Sequence, residues 1–572
     1  MYKNEHKYKD LSKEELVKKI EKLESRKKYG LVWDEEKTKE KFEKDAENAL
    51  PVLKEIKSKE IKTGKEDTIN VLIEGDNYHS LSVLNFTHQR RVDVIYIDPP
   101  YNTGKEFIYN DKKIEKEDSY RHSKWLSFMN KRLRLARNLL SEKGVIFISI
   151  DENEQAQLKL LLDEIFLPEN FIANITVQSN PRGKQQMKIA TTHEYLLVYG
   201  KNINKAQINS EELSDEQVGG YSKIDKNNFN YRELGLRKRG AASRRVDVPN
   251  LYYPIYVNSK TGEVALKKDK IFTKESLPIL SNGEDGRWRW GKKKFEIDKN
   301  RLYGRLVNNE RWDIFERDYL IKDGEQKGIK SKSIWDEKEL NYENAKKELK
   351  DLFDGKTLFD FPKTVYLIKK ICKIASNSNS IILDFFAGSG TTGQAVLRLN
   401  EEDGGNRQFI LCTNNESNIC SNVCYPRIMK VIKGYKDLKG QKVDGLCGNL
   451  KFFKTAFVKN SVNRDEMKIK ITGECTEMLC LREGIFDEIK NTKSYKIFKQ
   501  EDKIMAIYYS LERNKIDDLK KFLDKMSGDK ILYCFTLDHL GLNENDFIGW
   551  NDVRLEPIPQ KILDIYKNIY EY

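Results

Sequence analysis

Residues 94–97, Val-Ile-Tyr-Ile, run directly into Asp98-Pro99-Pro100-Tyr101. No other stretch constrains the fold as strongly. Four consecutive apolar, largely β-branched residues suit a strand buried on both faces, as in a parallel sheet. The two prolines fix φ and remove two N–H donors, so neither strand pairing nor a helix continues through them. The strand must therefore end in a stiff turn at its carboxyl edge, where open α/β sheets place their ligands. With 12 prolines in 572 residues, an adjacent pair is uncommon, and flanking Asp and Tyr make the set rarer. A rigid turn alone accounts for the prolines but not for the carboxylate and ring beside them.

Taken together, the four residues can hold an amine. The Asp98 carboxylate and the Pro99 carbonyl can both accept hydrogen bonds from one –NH2 group. Those bonds orient the nitrogen lone pair toward an electrophile and stabilise the charge that develops on it. Pro100 keeps the turn stiff, and Tyr101 offers a flat face on which an extruded base can stack.

A second motif lies far along the chain. Residues 380–400 contain an apolar strand, IILDF, a glycine-rich turn, AGSGTTG, and a helical run, QAVLRL. Glycines let backbone approach a ligand closely. Gly388, Gly390 and Gly393 meet the bare GxGxxG spacing, and no Lys follows Gly393, so this is not a phosphate-binding P-loop. Beside a DPPY turn, a second nucleotide-type site points to S-adenosylmethionine rather than NAD.

Strand and helix patterns alternate around both motifs. VLI at 71–73, VIFISID at 145–151, HEYLLVYG at 193–200 and RQFILCTNNE at 407–416 read as strands, and 124–140 as an amphipathic helix. This alternation implies an α/β sheet. Residues 205–355 differ: they are basic, loop-rich and carry Trp and Tyr. At the N-terminus, Leu11, Val17, Ile20 and Leu23 form one apolar stripe of a short helix, suited to packing on the body or to a dimer contact. KIMAIYYS and KILYCFTL are the expected strands of the C-terminal region.

Lys and Arg total 103 against 90 Asp and Glu, a formal charge of +13, which favours a polyanionic partner. The eight cysteines form no CxxC pair near a histidine, so no metal is expected, and reduced thiols in a cytoplasmic protein are. His193 and Glu194 lack a ligand cluster and are read as structural or as lying at the cofactor's edge. The N-terminus lacks an apolar secretory core and no run of eighteen apolar residues occurs, so no membrane segment is expected.

The pair of motifs resembles the amino-methyltransferases of DNA bases, in which the DPPY loop is catalytic and an FxGxG loop binds S-adenosylmethionine. Phe386-Ala387-Gly388-Ser389-Gly390 matches the latter. Catalytic motif first and cofactor motif second, with a long basic insert between, resembles the β class. HSKWLSFMNKRLRLA, GVIFISIDENE, TTHEYLLVYGKN, GRWRWGKKKF and FDFPKTVYLIKK are similar to stretches of Mod subunits of type III restriction–modification systems, over roughly residues 30–500.

The resemblance implies a Rossmann-like methyltransferase sheet in circularly permuted motif order, an inserted target-recognition domain and a C-terminal α+β region. The expected boundaries are 1–65 for an N-terminal helical segment, 66–204 for the catalytic half, 205–355 for the insert, 356–440 for the cofactor half and 441–572 for the C-terminal region. It also implies that Phe361, Pro362, Lys363, Asp384, Phe386, Gly388 and Gly390 bind S-adenosylmethionine. An acidic residue usually bonds the cofactor's ribose; here Thr413, Asn414 or Asn415 stands in its place, with Glu416 slightly late.

DNA binding is expected from two basic clusters. One carries Arg232, Arg237, Lys238, Arg239, Arg244 and Arg245; the other places Trp288 and Trp290 among Arg287, Arg289, Lys292, Lys293 and Lys294. A solvated basic face, with the Trp residues in a small core, is the simpler reading, and each is expected to hold in part. By resemblance, Asp98 rather than Ser at the motif's first position favours adenine N6 over cytosine N4. The resulting expectation is a DNA adenine methyltransferase that uses no catalytic Cys, acts on double-stranded DNA, forms a homodimer and works beside a helicase–nuclease restriction subunit. Cytosine-N4 modification, an inactive DNA-specificity subunit and an RNA methyltransferase are the alternatives.

Overall fold

The apolar runs that read as strands lie side by side in one ten-stranded sheet. Its strands are β1 (Ala49–Glu55), β2 (Ile69–Glu74), β3 (Val92–Ile97), β4 (Leu140–Ile150), β5 (Phe171–Val177), β6 (Glu194–Gly200), β7 (Ile334–Trp335), β8 (Ile381–Asp384), β9 (Gln408–Thr413) and β10 (Asn449–Lys459). Their order across the sheet is β1-β10-β2-β9-β8-β3-β4-β6-β5-β7. The computed structural model describes residues 12–24, 31, 33, 49–63, 68–103, 121–184, 188–308, 311–322, 324–461 and 463–570.

The middle of the sheet, from β10 to β4, is parallel. Strands β1 and β6 run antiparallel to their neighbours β10 and β4. The Val, Ile and Leu side chains of β2, β3, β8 and β9 are almost all fully buried, because helices cover both faces. Helices Asn77–Thr87, Arg121–Leu139 and Gln155–Phe166 line one core, and Val365–Ala375, Thr391–Asp403 and Tyr425–Lys433 the other. Each fully buried aliphatic side chain contributes about 1.5–3 kcal/mol relative to exposure, so these two cores fix the sheet.

The chain resolves into two units: 1–209 with 332–572, and 210–331. The expected boundaries shift accordingly. Residues 332–355 belong with the large sheet, because β7 pairs with β5 and Leu349 and Leu352 are buried in its core. The N-terminal segment is more than helical, since β1 pairs with β10 along its whole length. Strand β10 in turn lies inside the expected C-terminal region. The rest of that region forms a five-stranded sheet, Asp487–Asn491, Tyr495–Gln500, Lys503–Tyr508, Asp529–Phe535 and Val553–Ile558, whose Phe498, Met505 and Ile531 share the core of the first helix layer.

A helix does span Lys13–Glu24, with Val17 44% exposed; Leu11 and the side chains of Ile20 and Leu23 lie outside the described residues. No described helix is long and apolar enough to cross a membrane. The eight cysteines are unpaired, seven of them buried.

The unit 210–331 has its own core of Trp288, Trp290, Tyr253, Ile255, Val257, Leu302 and Ile314. Over it lies a four-stranded antiparallel sheet in the order Leu302–Val307, Arg311–Tyr319, Asn230–Gly235, Lys223–Ile224. Its chain enters and leaves side by side: Glu211 N donates to Ile329 O at 2.7 Å and Ile329 N to Glu211 O at 2.9 Å.

Candidate active site

The two motifs, far apart in sequence, meet because β3 and β8 are parallel neighbours, with Val94 opposite Ile382 and Ile95 opposite Leu383. Both strands therefore deliver their terminal carboxylates, Asp98 and Asp384, to the same edge of the sheet.

Beyond β3 the turn is held by specific bonds. The Trp125 indole N–H donates to the Pro100 carbonyl at 2.7 Å. No described residue donates to the Pro99 carbonyl. The Tyr101 hydroxyl lies 2.8 Å from Asp98 Oδ1 and 3.2 Å from Glu194 Oε2; its single proton goes to the nearer acceptor. Lys363 Nζ donates to Tyr101 Oη and to Glu194 Oε2, both at 2.7 Å, and lies 3.4 Å from Asp98 Oδ1. Asp98 Oδ2 receives no bond from any described residue, and about a quarter of the side chain remains exposed (26%). Among the described residues, the turn thus leaves two acceptors unspent, Asp98 Oδ2 and the Pro99 carbonyl, next to a tethered tyrosine.

The electrostatics follow from burial. Burial and, to a lesser degree, the Glu194 carboxylate raise Asp98 to about 6, while Lys363 opposes the rise. Burial works against the Lys363 charge, but Asp98 and Glu194 outweigh it and hold the ammonium above its ordinary value. Asp384 is raised to about 7 by burial, against bonds from the Thr392 hydroxyl at 2.5 Å and the Phe386 N–H at 3.0 Å.

Next in sequence, Asn102 is buried and adopts φ 57°, a left-handed backbone that Asn tolerates better than most residues. Its amide donates to Glu154 Oε1 at 2.5 Å, and His122 Nδ1 lies 2.6 Å from the same oxygen. Arg121 Nε donates to His122 Nε2 at 3.2 Å, so the imidazole carries its proton on Nδ1 and donates it to Glu154. Glu154 is fully buried, and burial raises its carboxyl above the usual range.

The second loop leaves β8 with Gly388 at φ 49° and Gly390 at φ 80°. A Cβ on Gly390 would stand 3.1 Å from Cys424 Sγ, and one on Gly388 3.4 Å from the Phe359 ring. Small residues therefore leave bare backbone between Phe386 and the helix that starts at Thr391. Arg427, fully buried, clamps this turn: Nη1 donates to Ser389 Oγ at 3.0 Å and Thr391 Oγ1 at 2.8 Å, and Nε to Gln394 at 2.7 Å. From the other side, Asn77 Nδ2 donates to the Phe385 carbonyl at 3.0 Å, and buried Arg132 holds Asn77 and Asp76. Pro362 is buried and Phe361 is 65% exposed. The Thr364 side chain caps the following helix by accepting from Leu367 N at 3.2 Å, which fixes where Lys363 emerges. Past β9, the Asn415 side chain is turned into its own loop, accepting from Ser421 N at 2.9 Å. Glu416, beside it, is half-buried.

Residues 92–421 match the family model described as DNA methylase. The chain belongs to that family. It is 36% identical over 395 residues to the type II methyltransferase M.KpnI of Klebsiella pneumoniae, covering 66% of this chain and 91% of that protein. It is 37% identical over 380 residues to the EcoPI Mod subunit of Escherichia phage P1, a type III restriction-modification enzyme, covering 61% of this chain and 58% of that subunit. The StyLTI Mod subunit of Salmonella typhimurium is 34% identical over 374 residues, at 61% and 53%. The chain thus spans a little over half the length of these Mod subunits.

For this DNA methylase, the Trp residues of the insert need correction. Trp288 and Trp290 are 0% and 4% exposed. The Trp288 indole donates to the Tyr253 carbonyl and the Tyr253 hydroxyl to the Trp290 carbonyl, both at 2.8 Å. They form the insert's core and are closed to a ligand. Among the cations, Arg232 pairs with Asp318 at 2.8 Å, Arg245 with Asp285 at 2.9 Å and Arg244 with Glu284 at 3.6 Å. Arg237 donates to the Ile279 carbonyl. Arg239 and Lys292 are exposed. Sequence reading also missed Trp125, Glu154, Arg132 and Arg427 as site-building residues, because each sits in a helix or turn where its periodicity or charge has an ordinary structural explanation.

Proposed function

We propose that the protein methylates the exocyclic N6 of adenine in double-stranded DNA, as the modifying part of a restriction–modification system. The observation that carries the reading is the pair of acceptors, Asp98 Oδ2 and the Pro99 carbonyl, that no described residue occupies in the turn that ends in Tyr101. An adenine turned out of the duplex stacks on Tyr101 while its amine donates to those two acceptors. Both bonds strengthen as positive charge grows on nitrogen, and the amine proton is shed only after the new C–N bond forms. Trp125 fixes the loop by binding the neighbouring carbonyl, so the acceptors need not reorganise. Lys363 and Tyr101 steady the Asp98 oxygen that faces away from the substrate.

The bare backbone at Gly388 and Gly390, the doubly bonded Asp384 carboxylate and the half-exposed Phe386 suit a ligand with an amino-acid end and a sulfonium. These residues, with Phe361, Pro362 and Lys363, would hold S-adenosylmethionine, with Asn415 or the half-buried Glu416 past β9 serving its ribose. S-adenosylmethionine supplies the electrophilic methyl carbon. No cysteine takes part: Cys412, Cys420 and Cys424 are buried, and burial drives their thiols up, away from the reactive thiolate.

Adenine is preferred to cytosine on the resemblance carried by Asp98. A partner helicase–nuclease, homodimerisation and action in the cytoplasm belong to the same proposal, supported by the similarity to Mod subunits. The test is to incubate the folded protein with labelled cofactor and DNA of varied sequence, then analyse nucleosides. N6-methyladenine is expected; label only in N4-methylcytosine, or none at all, overturns the reading.

A further inference from the structure

The outward face of the insert's four-stranded sheet carries the side chains usually reserved for an interior. Antiparallel partners point to one side. Tyr303 lies opposite Phe315, Tyr319 opposite Tyr231, Arg317 opposite Glu233 and Arg305 opposite Asp313. On the strand Arg311–Tyr319 the alternation is inverted: Glu316 and Asp318 are buried, whereas Phe315, Arg317 and Tyr319 are partly exposed. Four rings thus share one solvent face, with Phe229 at its edge, 50% exposed and 6.4 Å from Tyr319.

Two guanidinium groups lie on these rings. Arg317 Cζ is 4.5 Å from the Tyr303 ring and 5.9 Å from Tyr231; Arg305 Cζ is 4.4 Å from Phe315. Arg305 and Lys223 both pair with Glu233, which neutralises that carboxylate. Arg317 differs. Its bond is a long one, 3.4 Å, to the Asn300 carbonyl, and no carboxylate lies within 4.0 Å of it among the described residues. A stacked guanidinium is held in plane, keeps N–H donors at its rim and matches phosphate or the guanine edge. The insert as a whole carries 26 Lys and Arg against 20 Asp and Glu, so the surface suits a polyanion.

We propose that this sheet face is a DNA-contacting surface of the insert, with Arg317 and Arg305 as its contact residues and Tyr303, Tyr231 and Phe315 as the platform that orients them. The proposal rests on the functional reading above and names where in the insert the DNA is touched. The buried Trp pair and the ion-paired arginines of the sequence clusters are not required for it.

The test is binding of the full chain to a fluorescent duplex carrying its methylation site, measured by anisotropy across a salt series. Arg317→Ala is expected to weaken binding at least tenfold, and Arg305→Ala with Arg317→Ala to lower the slope of log affinity against log salt by about two. Melting temperature and affinity for S-adenosylmethionine should be unchanged. The second variant, Arg317→Lys, retains charge without the planar fork, and should lose preference for the cognate duplex over a scrambled one. Variants that bind DNA within twofold of the natural protein overturn the proposal, as does a loss of self-association with DNA affinity intact, which would assign the face to a second copy. A natural protein that binds no DNA instead defeats the functional reading itself.

Discussion

Replacing Lys363 with methionine keeps most of the side-chain volume and removes one charge from between two carboxylates. In the natural protein the ammonium stands 3.4 Å from Asp98 Oδ1 and 2.7 Å from Glu194 Oε2. At an effective dielectric of about 20, a pair at that first distance is worth about 5 kcal/mol. One pKa unit corresponds to about 1.4 kcal/mol, so the upper bound on the shift is roughly 3–4 units. Asp98 is 26% exposed, and water entering the gap recovers part of the loss, leaving an expected rise of roughly one to two units. Asp98 starts at about 6. Its proton blocks the acceptor that the amine needs, so methyl transfer fails as pH falls through that value. The acid limb of the variant should therefore move toward higher pH. Single-turnover methyl transfer, at saturating cofactor and DNA from pH 5.5 to 9, measures it. A variant limb still near pH 6, in folded protein that binds cofactor, would refute the assignment of that limb to Asp98 under Lys363 control.

Other outcomes follow from the same geometry. Asp384 is raised from 3.8 to about 7; a raised carboxyl stabilises the fold below its unfolded value and loses that contribution as pH climbs through 7. The melting-temperature advantage of the natural cofactor-free protein over Asp384→Asn should accordingly shrink between pH 4 and pH 8, and a constant difference would contradict the burial argument. Arg427→Met should cost about 2 kcal/mol of loop order and weaken S-adenosylmethionine binding about thirtyfold by calorimetry; unchanged affinity would show that the clamp is irrelevant to the cofactor. Glu154→Ala removes the nearer acceptor of the Asn102 amide, leaving only the Arg121 carbonyl at 3.4 Å, at about 1–3 kcal/mol, and should lower kcat at least tenfold with cofactor affinity intact, while Glu154→Gln restores most of it. Trp288→Ala should destabilise the insert by about 3–5 kcal/mol, seen as new proteolytic cuts within 210–331.

The parallel strands were legible because burial on both faces leaves an uninterrupted apolar run, as in VIYI and IILD. The DPPY and glycine-rich turns were legible because each departs from what a simple turn requires. Strand β1, ALPVLKE, was not: a proline and two terminal charges mark it as irregular, and only its long-range pairing with β10 makes it a strand. Trp288 and Trp290 were misleading because arginines flank them, yet alternate residues of one chain can face core and solvent by turns. The aromatic face opposite was hidden for the converse reason. In RWDIFERDY the buried positions include Glu316 and Asp318, satisfied by Arg289, Arg301, Arg232 and Lys327. Hydrophobicity alone would have turned that strand inside out.

The reciprocal Glu211–Ile329 bonds bring the insert's two ends together as a pair of adjacent backbones. A segment anchored in this way behaves as a cartridge. Its interior can be lengthened or shortened while the splice stays the same width, because the two ends leave and return as adjacent backbones. On the reading proposed above, in which the insert touches the DNA, the address can change without any change to the chemistry. A chimera cut at 210 and 331 should be the natural unit for transplanting target preference.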